Sequence, residues 1–172
     1  MQLREFVENQ GDAMRRTKGF SLIELLIVVA IILIIAAVAV PSFLHSRLAA
    51  NESSAVASIR TINTAMISYN SAYPTVGFAA NLVNLGPGGL TSTCPTPPTS
   101  TTACLIDGLL ASGTKNGYSF VATGTAGSYV AYGNPVSPSN TGVRSFCSFA
   151  DAVVRVSLTT LSGCDGTVTP QQ

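Results

Sequence analysis

A single carboxylate, Glu24, sits five residues beyond Gly19 inside a run of apolar residues that extends to Val40. Two kinds of chemistry suit this spacing. The Gly19–Phe20 bond joins a polar, basic leader to the apolar run, and the glycine offers a peptidase that requires a small residue an obvious place to cut. Glu24 is a charge where charge is costly, so its use depends on finding a partner for it. Other chemistry finds little material. The lone histidine, His45, has no Ser/His/Asp arrangement to join, and Asp107, Asp151 and Asp165 are scattered single acids, so no enzyme activity and no cofactor is expected. The acids near the C-terminus are too few for a calcium site, and no metal is expected.

Four cysteines, Cys94, Cys104, Cys147 and Cys164, fall in the C-terminal half beside Pro-, Ser- and Thr-rich sequence. None forms a C-x-x-C pair and His45 is remote, which argues against zinc ligation. Downstream of an export signal they read as two disulfides, with three connectivities formally open. Cys94–Cys104 and Cys147–Cys164 are favoured because each closes a short local loop.

Charged residues make up 10% of the chain and the net charge is +1, against a usual quarter. Binding to nucleic acid through phosphate neutralisation is therefore not expected. The charges crowd into the leader at Arg4, Glu5, Glu8, Asp12, Arg15, Arg16 and Lys18.

From Phe20 to Val40 about fifteen residues are Leu, Ile, Val or Phe, together worth about −7 kcal/mol of insertion energy against at most about +3 for Glu24. The segment is long enough to span a bilayer as a helix. Arg15, Arg16 and Lys18 set the N-terminus in the cytoplasm and the C-terminal part outside. Two maturation schemes compete. Ala37-Val38-Ala39 would serve as a secretory A-x-A site and release a soluble domain beginning at Val40. Arg15-Arg16 also suggests a twin-arginine signal, but Thr17-Lys18-Gly19 separates the pair from the first apolar residue. The other scheme cuts after Gly19 and keeps the helix. Glu24 favours it, since a discarded segment has no use for an acid, and so does a helical pattern that continues past Pro41.

Gly19-Phe20-Ser21-Leu22-Ile23-Glu24-Leu25-Leu26 resembles the class III signal of type IV pilins and pseudopilins, and Pro41 falls where those proteins carry a proline. The resemblance implies cleavage between Gly19 and Phe20 by a prepilin peptidase, which also methylates the Phe20 amine. It implies a homopolymer as the product, with an inner-membrane assembly platform and a cytoplasmic ATPase as partners. In such a polymer Glu24 would pair with the Phe20 ammonium of a neighbouring copy. At about 4 Å and an effective dielectric near 20 that pair gains roughly 4 kcal/mol.

Beyond the membrane, Leu48, Ala55, Ile59, Ile62, Met66, Tyr69 and Tyr73 recur at three- and four-residue steps, with Glu52 as a polar interruption. This predicts one apolar helix face ending before Pro74. Pro41 permits a kink. Cys104 to Ala111 reads as a short helix. Tyr118–Ala122 with Ser128–Tyr132, and Val143–Phe149 with Ala152–Leu158, read as two hairpins. The expected fold is α+β: a long N-terminal helix on an antiparallel sheet of about four strands. The expected organisation is a cleaved leader 1–19, a membrane and assembly helix 20–40, its amphipathic continuation 41–73, a loop-rich connector 74–117 and a sheet with a disulfide-closed loop 118–172. The functional expectation is a pilus subunit, held single-pass in the inner membrane and then assembled into an extracellular filament. A type II secretion pseudopilin is the nearest alternative, and a secreted binding domain released after Ala39 is a more distant one.

Overall fold

The computed structural model describes residues 19–89 and 93–171. The leader charges, including Arg15, Arg16 and Lys18, lie outside the described residues, as do Leu90 to Ser92 of the connector. The elements run in the order α1 (Leu22–Ala72), α2 (Leu82–Leu85), α3 (Gly108–Ala111), β1 (Thr114–Lys115), β2 (Tyr118–Gly124), β3 (Tyr129–Pro135), β4 (Ser145–Phe149) and β5 (Arg155–Ser157). The chain divides after Pro41 into two compact units. In the first, α1 carries apolar side chains all round. In the second, from Ser42 onward, α1 has one buried face and packs on the sheet.

That face follows the sequence pattern. Ile59, Ile62, Met66 and Tyr69 are fully buried, while Val56, Ser58, Asn63 and Ala65 widen the stripe. On the solvent side Ser53, Thr61, Thr64 and Ser71 donate their hydroxyls to carbonyls four residues back, so these polar residues sit in the helix without unmet groups. Pro74, with no amide hydrogen, prevents α1 from continuing. Gly77 then turns the chain at φ +90, where a Cβ would meet the Ala126 Cα at 2.5 Å.

The sheet is a meander, β1-β2-β3-β4-β5, antiparallel throughout. In β2 every second residue points inward, so Tyr118, Phe120 and Ala122 face the helix. Tyr129, Ala131 and Phe146 extend the same core. The sequence pattern predicts about four strands, and the described residues form five. The extra one, β1, is only Thr114–Lys115, too short to leave a periodic signal.

Several element boundaries differ from the pattern reading for identifiable reasons. Cys104 takes φ 56, which a right-handed helix cannot accommodate, and the Leu105 and Ile106 amides both reach Leu85 O. Only Gly108–Ala111 is helical, begun by Asp107, whose carboxylate accepts from the Leu110 amide. The connector holds an unforeseen helix, α2, capped by the Asn81 side chain on the Asn84 amide. β5 begins at Arg155 rather than Ala152, because Ala152 (φ 59) closes the turn by donating to Phe149 O. The final stretch lacks regular structure, as its sequence implies, yet it lies along β5 through Val156 N to Thr169 O and Gln171 N to Val154 O.

Candidate processing and assembly site

Gly19 and Phe20 precede α1 in exposed, non-helical backbone, and the first helical hydrogen bond runs from Leu25 N to Ser21 O at 3.2 Å. Glu24 occupies the first turn, where the helix dipole favours a negative charge. Its side chain is exposed and forms no ion pair or hydrogen bond with any described residue. From Phe20 to Val40 the large apolar side chains are 44–79% exposed. α1 is therefore long and apolar enough to cross a membrane, and among the described residues nothing covers that part of it. An apolar surface of this extent requires lipid or neighbouring protein around it.

The other residues singled out from the sequence are spread along the molecule. Pro41 lies within α1 and is flanked by helix on both sides. His45 and Arg47 follow it on exposed positions. Cys94 is joined to Cys104, and Cys147 to Cys164. The second bridge ties the C-terminal loop to β4. Asp107 pairs with Lys115 at 2.9 Å, and Asp151 pairs with Arg155, whose guanidinium lies 4.3 Å from the Phe149 ring centroid. Among the described residues no group of His, Cys, Asp and Glu is placed to hold a metal ion.

Gly19, an exposed Phe20, an acid with no ion pair among the described residues and an apolar helix that no described residue covers thus lie within one continuous stretch. Residues 14–40 match the prokaryotic N-terminal methylation motif. The chain is 39% identical over 72 residues to the type IV major pilin protein PilA of Myxococcus xanthus, an alignment covering 42% of this chain and 33% of that one. It is 62% identical over 39 residues to the type IV wide pilus major component PilA4 of Thermus thermophilus, covering 23% of this chain and 30% of the relative. The chain thus spans about a third of the length of these relatives. No solved structure matches it.

Outside the methylation motif, the structure gives weight to a residue that the sequence pattern presents as a mere interruption. Glu52, 7% exposed, faces the loop before β4. Its Oε1 accepts from the Val143 amide at 2.9 Å and the Arg144 amide at 3.1 Å. Its Oε2 accepts from Arg144 Nε at 2.7 Å. These bonds explain why β4 starts at Ser145: the two preceding amides are committed to the helix. Further along α1, Asn63 Nδ2 reaches Ser148 Oγ, and the Tyr69 hydroxyl donates to Ser100 O at 2.7 Å. A lone acid within an otherwise apolar stripe was the only signal in the sequence for this attachment.

Burial by itself would raise the Glu52 carboxyl. The Val143 amide and then the Arg144 side chain and amide outweigh it and hold the group below the usual carboxylate range. Asp151 is lowered as well, chiefly by its hydrogen bond from Arg155. A carboxylate depressed by folding stabilises the fold fully above its unfolded value and loses that contribution as pH falls through its folded value. Glu52→Gln is accordingly expected to cost about 2 kcal/mol at pH 7. The melting temperature of the full chain in detergent should fall by about 5 °C. The gap between variant and parent should narrow as pH falls through the lowered folded-state value of Glu52 and close below it, where both carry a neutral group. Thermal unfolding followed by circular dichroism across pH measures both effects, and a gap that persists in acid would remove the ionic account.

Proposed function

We propose that this chain is the precursor of a type IV pilus subunit, whose role is structural rather than catalytic. The observation that carries the reading is the apolar stretch of α1 that no described residue covers, headed by the methylation motif and bearing an acid with no partner among the described residues. In this scheme the precursor waits in the inner membrane with its N-terminus in the cytoplasm. A prepilin peptidase cuts between Gly19 and Phe20 and methylates the new amine. An assembly platform driven by a cytoplasmic ATPase then draws the subunit into a growing fibre.

Two physical terms hold the polymer together. Packing of the Phe20–Val40 helices against one another replaces lipid with protein and provides cohesion. Pairing of Glu24 with a neighbour's Phe20 ammonium fixes register, because a subunit displaced along the bundle would bury both charges unpaired. Pro41 lies between the membrane part and the amphipathic part of α1, and local bending there would help the packing.

A surface pilus is preferred to a type II secretion pseudopilus because both relatives are named as major components of type IV pili. The N-terminal mass of the mature protein is the test. The expected species begins with N-methylated Phe20 and is recovered from filaments sheared off the cell surface. A mature protein beginning at Val40 would replace this reading with a secreted soluble domain. A Phe20 species confined to the periplasm would favour the pseudopilus.

A further inference from the structure

We propose that a cleft beside Arg60 receives the Asp165 loop of a second copy of the chain, making a contact between the globular parts of adjacent subunits. The proposal rests on the polymer reading above. The cleft, about 390 Å³, lies between α1, the residues leading into β5 and the C-terminal segment, with Arg60, Asn63, Thr64, Val153, Val154 and Gln171 on its walls. Arg60 also borders two further hollows, of about 320 and 260 Å³, along the same side of the helix.

The walls have unmet bonding needs. Asn63 is only 4% exposed, and its Nδ2 is engaged by Ser148 and Ala152 while its Oδ1 has no partner. The Oε1 of Gln171 is likewise buried and unpaired. Arg60 makes no ion pair with any described residue. A fitting occupant therefore brings an anion for Arg60 and N–H donors for two amide oxygens.

The charge inventory of this unit points to one segment. Glu52, Asp107 and Asp151 are each bound to a cation of their own chain, which leaves Asp165 as the carboxylate of this unit with no ion pair among the described residues; its Oδ1 accepts from the Thr167 amide and hydroxyl, so Oδ2 is the oxygen it can offer to Arg60. It stands on an exposed loop between Gly163 and Gly166, where an added Cβ would meet nothing within 4 Å. The amides of those glycines make no hydrogen bond to a described residue. The Cys147–Cys164 bridge tethers the loop to β4, so less order has to be imposed when it docks. Asp165 supplies the anion and the adjacent amides supply the donors. Cleft and loop are different surfaces of one chain, and a head-to-tail contact of that kind propagates into an open helical assembly wherever its rotation does not close a ring.

The test is a charge exchange in the full-length protein. Arg60→Asp and Asp165→Arg are both on exposed positions, and although Asp165→Arg gives up the bonds from Thr167, the Cys147–Cys164 bridge still holds the loop, so the membrane pool of processed subunit should match that of the parent. Each single variant should lower sheared filament roughly ten-fold through like-charge repulsion, and the double variant should recover most of it. Single variants that assemble like the parent overturn the contact and leave the polymer reading intact. Losses that the double variant does not repair assign the cleft another occupant and overturn it too. A parent chain that forms no filament removes both readings.

Discussion

Replacing Glu24 with alanine is expected to leave a normally processed subunit in the membrane and to reduce sheared filament to background. The fold of the protomer gives no reason for this acid to matter, because its side chain is exposed and touches no described partner. Two accounts of its presence predict effects of different size. Interaction with the helix dipole is worth about 0.3–1 kcal/mol, which would reduce assembly a few-fold at most. Pairing with a neighbour's ammonium inside a packed helical core is worth roughly 4 kcal/mol, or about a thousand-fold in equilibrium constant for each added subunit. The larger estimate is further increased because the orphaned Phe20 ammonium remains buried in the variant. Glu24→Gln separates charge from shape: it keeps the side-chain length and removes the anion, and it should fail as alanine does. The measurement is the ratio of sheared to cell-associated subunit, with the N-terminal mass confirming that processing is intact. A modest decline would leave only the dipole account standing, and ordinary yield would remove the proposed role of Glu24 altogether.

The sequence was most legible where one physical effect acted alone. Ile59, Ile62, Met66 and Tyr69 recur at helical spacing because a single apolar face is buried, and all four are indeed fully buried. β2 alternates strictly because one of its faces meets the core and the other meets water. Legibility failed where side chains and backbone exchange hydrogen bonds over long sequence distances. Glu52 breaks the apolar stripe, and nothing local shows that its carboxylate will be used by amides some ninety residues later. The same bonds shorten β4, so a single unread contact displaced a strand boundary as well. The Cys104–Ala111 segment has helical composition, but the Leu105 and Ile106 amides bond to Leu85 instead, leaving only its last turn helical. Four residues of α2 and two of β1 are simply shorter than the period that would reveal them.

The candidate site behaves in the opposite way, and that contrast bears on what it is for. Gly19, Phe20 and Glu24 are conspicuous in the sequence because they break local rules, and the described residues of the protomer offer each of them no structural use. Features unsupported by their own fold are explained by something outside it, either a processing enzyme or another copy of the chain.

Gly19→Val carries that reasoning to its sharpest expectation. A left-handed backbone or a crowded neighbour requires a glycine, and neither applies here: a Cβ at position 19 would meet nothing within 4 Å. Valine should therefore leave α1 and the globular unit undisturbed while presenting a β-branched side chain to a peptidase pocket shaped for none. The expected result is accumulation of full-length precursor, with at least about a hundred-fold less mature subunit, since a buried clash in an enzyme pocket readily costs about 3 kcal/mol of transition-state binding. Gly19→Ala, with a single methyl, should retain partial processing, and the graded series distinguishes a steric requirement at the bond from a general defect in export. Because the proposed register pairing uses the free Phe20 amine, the valine variant should also form no filament, even though Glu24 is intact. Immunoblotting of membrane and sheared fractions reads both outcomes. A mature-size product beginning at Phe20 would show that the peptide bond is cut without regard to the residue before it.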